Sequence, residues 1–119
     1  MTNLEGIKKD FHEHVLDLQQ QITDRMFEMD PSLREEGGLN EDLWERRDYD
    51  GNPGGGGRTR AFSGKLFENA GVNVSLVHGT VDPKFAQSIG GTDNNMWAAG
   101  ISLIICLLYT SPSPRDKTV

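Results

Sequence analysis

Apolar residues recur every three or four positions from residue 4 to residue 29. This spacing gives a helix one apolar face. Thr2 and Glu5 fit a capping box at the helix start, and Asp30 marks its end, because a residue that precedes proline disfavours helical backbone angles. The sequence therefore predicts one long amphipathic helix. The apolar positions of its stripe are Leu4, Ile7, Phe11, Val15, Leu18, Ile22, Met26 and Met29.

The segment that follows the predicted helix is polar and rich in glycine. Ser32 and Glu35 offer a second capping pattern, so we expect one or two turns of helix between Pro31 and Arg47. From Asp48 to Gly57 the chain consists largely of Asp, Asn, Pro and Gly, and it includes four consecutive glycines, Gly54–Gly57. Such a composition predicts a loop.

Beyond the glycines, apolar and polar residues alternate with a period of two, which is typical of strands with one buried face. The resulting fold class is α+β, a long N-terminal helix followed by an antiparallel β meander. In chain order, the predicted elements are strands at 58–63, 66–70 and 72–77, then a short helix at 82–88 with Pro83 at its first helical position. A loop at 90–95 and a buried strand at 98–105 follow.

Charge and composition exclude several classes of protein. The 12 basic and 18 acidic residues argue against an extended nucleic-acid surface, which needs clustered Lys and Arg. The single cysteine, Cys106, excludes an internal disulfide framework. The most apolar stretch, 98–108, is shorter than the roughly 20 residues that a membrane span requires. Because the N-terminus lacks the pattern of a secretion signal, we expect a cytoplasmic protein.

The glycine run does not fit a nucleotide-binding loop. Gly57 is followed by Arg58 where a phosphate loop requires Lys and then Ser or Thr. A dinucleotide fingerprint follows a strand and opens a helix, whereas this run follows a polar segment and precedes a strand pattern.

Three blocks in order instead carry a family resemblance: Gly54–Arg60 (GGGGRTR), Leu66–Ser75 (LFENAGVNVS) and Val77–Gly79 (VHG). A fourth, Met96–Ile105 (MWAAGISLII), is similar to an apolar family strand that opens with Gly-Val-Ser or Gly-Ile-Ser. Together these blocks resemble oxygen-dependent coproporphyrinogen oxidase, and the resemblance extends over residues 11–105.

The resemblance implies an enzyme of haem and porphyrin biosynthesis. Such an enzyme oxidatively decarboxylates coproporphyrinogen III to protoporphyrinogen IX, with molecular oxygen as co-substrate and no organic cofactor. It also implies a homodimeric parent protein built on a broad antiparallel sheet covered by helices. A requirement for a metal stays open, and we assign no metal ligands.

Three residues are candidate substrate-binding groups. Arg58 and Arg60 are two apart on a strand, so both would point to one face, where guanidinium groups suit carboxylates; the alternative is solvated strand residues. Ser102 matches a serine with which the family contacts its substrate, and the alternative is strand packing. Asn73 is expected to bond to backbone and His78 to order a turn.

The family pattern stops after Ile105. Residues 106–116 resemble a translated sequencing adapter, so we assign 1–105 to a truncated oxidase domain and 106–119 to a non-native tail. Catalytic groups are then expected beyond Ile105, and the fragment is expected to be inactive, with its last strand an exposed apolar edge. Two alternatives remain: a small anion-binding module that uses the Gly54–Arg60 loop, and an interaction protein that uses the N-terminal helix.

Overall fold

A computed structural model describes residues 3–91 and 93–107. One long helix packs on one face of a four-stranded antiparallel sheet whose strands lie in sequence order. This arrangement confirms the predicted α+β class. The elements are helix α1 (Leu4–Met29), a 3-10 turn (Pro31–Arg34), strands β1 (Leu39–Arg47), β2 (Pro53–Phe62) and β3 (Phe67–Thr80), helix α2 (Pro83–Ser88) and strand β4 (Asn95–Leu107).

Helix α1 starts with a different cap from the one predicted. The side chain of Asn3 accepts a hydrogen bond from the backbone N–H of Gly6 at 3.0 Å, so Asn3 is the capping residue; Thr2 lies outside the described residues. The end is as predicted, since the N–H of Asp30 donates to the carbonyl of Met26. Within the described residues, no helix is both long and apolar enough to cross a membrane.

The buried stripe of α1 differs from the predicted apolar stripe. Val15 and Met26 are buried, but two polar residues between them, Gln19 and Thr23, are buried as well. The buried positions are spaced by four, four and three residues, which places them on the side of the helix that faces the sheet. The outlying members of the predicted stripe are exposed to solvent, namely Leu4, Ile7, Phe11 and Met29.

The segment between Pro31 and Arg47 contains one 3-10 turn, but the rest of it forms strand β1 rather than helix or loop. Within β1, Leu39 and Trp44 are half-buried and all other residues are exposed. Because β1 is an edge strand that is joined to the sheet through its backbone pairing with β2, it carries no alternating apolar pattern that would have revealed it.

The glycine run was predicted to be a loop, and that prediction was wrong. Gly54–Gly57 belong to β2, and the loop before them is confined to residues 48–52. The glycines are needed because the neighbouring strands approach closely. A Cβ atom on Gly57 would lie 2.3 Å from Cζ2 of Trp44, and one on Gly56 would lie 2.3 Å from the carbonyl oxygen of Trp44.

Strands β3 and β4 are longer than predicted. β3 joins the two predicted strands through Gly71 and continues through His78, which therefore lies in a strand and not in a turn. Strand β4 is an edge strand as expected, but it is not buried: Ile104 is 68% exposed. The main core cluster lies between α1 and the sheet and comprises Met26, Leu33, Phe62, Phe67, Ala70 and Val72.

The predicted boundary between oxidase segment and tail falls inside β4, which continues through Cys106 to Leu107. Residues 108–119 lie outside the described residues. The assignment of 106–119 to a non-native tail therefore stays a prediction.

Candidate functional site

The sheet has two chemically different faces. Residues directly opposite each other on antiparallel strands share a face, so Arg58 and Val74 lie on one side, and Thr59 and Asn73 on the other. We call the side packed against α1 the covered face and the other side the open face. Arg58 and Arg60 share a face as predicted, and it is the covered one.

Both arginines are held by residues of α1 or β1. Arg58 donates from Nε to Oε1 of Gln19 at 2.5 Å and from Nη2 to the carbonyl of Leu16 at 3.1 Å. Burial lowers the pKa of Arg58, and the charge of Arg60 lowers it further, although Glu41 opposes the shift. An arginine nevertheless stays protonated at any physiological pH.

Arg60 is 8% exposed and makes three hydrogen bonds. Its Nε donates to Oε2 of Glu41 at 2.7 Å, while Nη1 donates to Oε1 of Gln20 and to Oγ1 of Thr23, each at 3.0 Å. These bonds join α1 to β1 and β2. The substrate-binding role of Arg58 and Arg60 stays a prediction, and both guanidinium groups already serve as links between the helix and the sheet.

Gln19 is the centre of this link. It is fully buried, and its Nε2 donates to the carbonyls of Arg58 and Val72 at 2.8 and 2.9 Å. These two carbonyls belong to the neighbours of Thr59 and Asn73, whose side chains point to the open face. Gln19 therefore fixes the backbone directly behind the polar residues of the open face.

On the open face, one polar residue from each strand lies in a single row across the sheet, which we call the polar row. Asp42 pairs with Thr59, Thr59 with Asn73, and Asn73 with Ser102. With about 4.8 Å between neighbouring strands, the row spans about 14 Å. Ser102, the predicted contact residue, is exposed at one end of it.

Hydrogen bonds orient the middle of the polar row. The indole Nε1–H of Trp44 donates to Oγ1 of Thr59 at 2.9 Å, and Thr59 Oγ1 donates to Oδ1 of Asn73 at 2.6 Å. An indole N–H can only donate, so the single hydroxyl proton of Thr59 must go to Asn73. Asn73 thus bonds to a side chain rather than to backbone. Its amide oxygen is occupied, and its Nδ2–H groups make no hydrogen bond within the described residues.

Next to the polar row, the open face has a floor of small residues. Gly57, Ser75 and Gly100 lie opposite one another in β2, β3 and β4. The ring of Trp44 covers Gly57, whereas nothing lies within 4 Å of the position that a Cβ atom on Gly100 would occupy. Trp44, the floor and the polar row adjoin one another on the open face, and we call this area of the sheet the trough.

Sequence reasoning proposed Ser102, whose substrate contact stays a prediction, but it did not single out Trp44 and Thr59, which lie on the same face of the sheet. A signal was present: Thr59 lies between Arg58 and Arg60, so strand alternation places it on the opposite face. What the sequence does not reveal is the register, which brings Thr59, Asn73 and Ser102 together. Among residues 3–91 and 93–107, no group of three or more His, Cys, Asp or Glu side chains is placed to hold a metal ion.

Comparison with known proteins identifies relatives of the chain. The family model for coproporphyrinogen III oxidase matches residues 10–112. An oxygen-dependent coproporphyrinogen-III oxidase from Rickettsia rickettsii (strain Sheila Smith) is 39% identical over 69 residues, which are 56% of this chain and 25% of the relative. The enzyme of the same name from Rickettsia akari is 41% identical over 63 residues, which are 51% of this chain and 21% of the relative.

The chain spans about a quarter of the length of the curated relatives that it matches. No solved structure matches it at a significant level.

Proposed function

The chain belongs to the coproporphyrinogen III oxidase family, and we propose that it supplies a substrate-binding sheet to an enzyme that converts coproporphyrinogen III to protoporphyrinogen IX with molecular oxygen. In this reaction two propionate side chains each lose carbon dioxide and become vinyl groups, and oxygen accepts the released electrons and protons. The observation that carries the proposal is the family match over residues 10–112, which includes every residue of the polar row.

The trough on the open face suits a broad macrocycle that bears carboxylates. Gly57, Ser75 and Gly100 would let a macrocycle approach the backbone of the sheet. Ser102 Oγ and the Nδ2–H groups of Asn73 would donate hydrogen bonds to a propionate, and a hydrogen bond to a charged acceptor is stronger than a neutral one. The bond from Thr59 would hold the Asn73 amide in the orientation that presents these donors.

The groups that move protons in the reaction are proposed to lie elsewhere in the family's longer chain. A proton donor must reach its substrate within hydrogen-bond distance, and Asp42 is the only titratable residue of the polar row. Ser102, Asn73 and Thr59 therefore bind and orient the substrate in this proposal, and they do not transfer protons.

Three further proposals rest on the family resemblance alone. The parent enzyme is proposed to be a homodimer, to act in haem biosynthesis and to require no organic cofactor. A cytoplasmic location is a fourth proposal, and it comes from the sequence analysis and not from the resemblance. Light scattering of the complete enzyme would measure its oligomeric state, and a single-subunit mass would contradict the dimer.

A chimera tests the proposed function. Residues 1–105 would replace the matching segment of the Rickettsia rickettsii enzyme, and oxygen uptake, carbon dioxide release and protoporphyrinogen IX formation would be measured together. We expect turnover within about tenfold of the parent enzyme, because the replaced segment belongs to the same family. A folded chimera that consumes no oxygen in the presence of coproporphyrinogen III would contradict the proposal.

A serine pair sharpens the same experiment. Ser102→Ala should lower kcat/KM at least tenfold, since it removes a proposed donor to the substrate. Ser63→Ala, at an exposed serine in the turn between β2 and β3, should leave kcat/KM unchanged. Equal kcat/KM values for the two variants would contradict the proposed contact between Ser102 and the substrate.

The alternative of a small anion-binding module has weaker support. A cavity of about 350 Å³ beside α1 is lined by Gly55, Gly56, Gly57 and Arg58. The rest of its lining is mostly apolar, and the Arg58 guanidinium is already hydrogen-bonded to α1. An anion there would have to compete with Gln19 and Leu16 for that guanidinium group.

A further inference from the structure

A second cavity lies at the end of the sheet next to α2, and we call it the α2-end cavity. Its volume is about 440 Å³. Basic and aromatic or apolar side chains from β1, the β1–β2 loop, β3, α2 and β4 line it. They include Arg46, Arg47, Tyr49 and Phe85.

The α2-end cavity adjoins the trough of the open face. Val77 and Ala98 line the cavity and lie opposite each other in β3 and β4. Each is four residues from a member of the polar row, Asn73 and Ser102 respectively, so strand alternation places all four on the open face. Four residues of extended strand span about 13 Å. The small-residue floor lies between the two ends.

The basic groups of the α2-end cavity outnumber its free carboxylates. Asp48 lines the cavity, but its Oδ1 accepts from the N–H groups of Asp50 and Asn52, at 3.0 and 2.9 Å, and its Oδ2 accepts from the N–H of Thr80 at 3.2 Å. Asp82 accepts from the N–H of Lys84 at 2.9 Å. Both carboxylates are thus used in holding turns or caps.

Arg46 is the cationic group that the fold does not use. Arg47 donates to the carbonyl of Gly51 at 3.0 Å, whereas Arg46 makes no ion pair or side-chain hydrogen bond within residues 3–91 and 93–107. It also lines an adjoining cavity together with Arg47 and His78. A free guanidinium fork beside apolar walls suits a carboxylate carried on an apolar arm.

We propose that the α2-end cavity is a second carboxylate-binding site, in which Arg46, supported by Arg47, holds the propionates at one edge of a tetrapyrrole while the polar row holds those at the opposite edge. This inference rests on the proposed function and deepens it. It assigns to the sheet two anion sites about 13 Å apart, and so a preference for tetrapyrroles with carboxylates at both edges.

The test compares two stable porphyrins on the 119-residue chain by titration calorimetry. Coproporphyrin III carries four propionates, and mesoporphyrin IX carries two, both at one edge. The unmodified chain should bind the tetracarboxylate at least tenfold more tightly. In Arg46→Ala this advantage should fall to within about threefold, because the second site then lacks its free guanidinium group and keeps only Arg47, which is already bonded to the carbonyl of Gly51.

Two control variants accompany the test. Arg46→Gln keeps the apolar stem without the charge and should behave like Arg46→Ala. Arg25→Ala removes an exposed arginine on α1 that pairs with Glu28, and it should keep the full advantage. Thermal unfolding of each variant would check that the fold is intact.

The outcomes separate this inference from the proposed function. If the chain binds both porphyrins equally, or if Arg46→Ala retains the tenfold advantage, the second site is wrong while tetrapyrrole binding stands. If neither porphyrin binds, the second site and the proposed role of the open face are both wrong.

Discussion

The two faces of the sheet differ in how many of their side chains are buried or hydrogen-bonded within the fold. On the covered face, Phe62, Val72 and Val74 are buried, and the charged groups of Arg58 and Arg60 have hydrogen-bond partners on α1. On the open face, the residues of the polar row and of the small-residue floor are half-buried or exposed to solvent. The side chain of Ser102 makes no hydrogen bond within the described residues.

This difference separates residues that hold the fold from residues available for binding. The covered face uses its polar groups to attach a helix, and the two arginines that sequence analysis proposed as ligands of the substrate lie there. The open face keeps hydrogen-bond donors that the fold does not use. Arg58 and Arg60 therefore have a structural role on the covered face, and their substrate-binding role stays a prediction.

The largest effect on stability is expected from breaking the link on the covered face. Gln19→Leu would leave the half-buried Nε–H of Arg58 and the carbonyls of Arg58 and Val72 without their partner, which should cost about 2–3 kcal/mol of unfolding free energy. Gln21→Leu, at an exposed glutamine that bonds to Asp17, should change it by less than about 0.5 kcal/mol. Urea denaturation measures both, and equal values would contradict the role of Gln19.

An intermediate effect is expected at the border of the covered face, and it depends on pH. Burial raises the pKa of Asp30, but hydrogen bonds from Ser32 and from the N–H groups of Phe67 and Leu66 outweigh it, so the pKa lies below its usual value. A lowered pKa stabilises the fold at pH values above the unfolded-state pKa of about 4, and this contribution is lost as pH falls through the folded-state pKa.

Asp30→Asn tests this assignment. The variant should be less stable at neutral pH, because the charge-assisted hydrogen bonds become neutral ones, and its stability should fall less steeply below about pH 4. Denaturation followed at several pH values measures the slope. Parallel curves for the variant and the unmodified chain would show that Asp30 does not contribute to the acid dependence.

The smallest effect on stability is expected on the open face. Thr59→Val removes the hydroxyl group between Trp44 and Asn73 and should cost about 1 kcal/mol, yet it should weaken coproporphyrin III binding several-fold by releasing the Asn73 amide. Thr59→Ser keeps the hydroxyl and should restore binding. If Thr59→Val bound the porphyrin as tightly as the unmodified chain, the orienting role of Thr59 would be wrong.

Sequence reasoning recovered the elements whose residues are patterned by burial. The span of α1 and the strands around Val72 and Val74 followed from apolar spacing, the end of α1 from Asp30 before Pro31, and α2 from Pro83 at its first helical position. It missed β1, an exposed edge strand that is specified by pairing rather than by an apolar face. It also took Gly54–Gly57 for a loop, although the close approach of Trp44 requires glycine at Gly56 and Gly57. The polar row could not be predicted, because it depends on a register among strands that are distant in sequence.

The positions of the chain's two tryptophans give each face its own optical probe. Trp44 lies against Gly57 on the open face, whereas Trp97 lies on the covered face, where its ring centroid is 5.9 Å from Nζ of Lys8 on α1. In Trp97→Phe, the remaining fluorescence comes from Trp44 and reports on ligand binding at the trough. In Trp44→Phe, it comes from Trp97 and reports on detachment of α1 from the sheet. Ligand occupancy and helix detachment thus become separately visible by fluorescence without an added label.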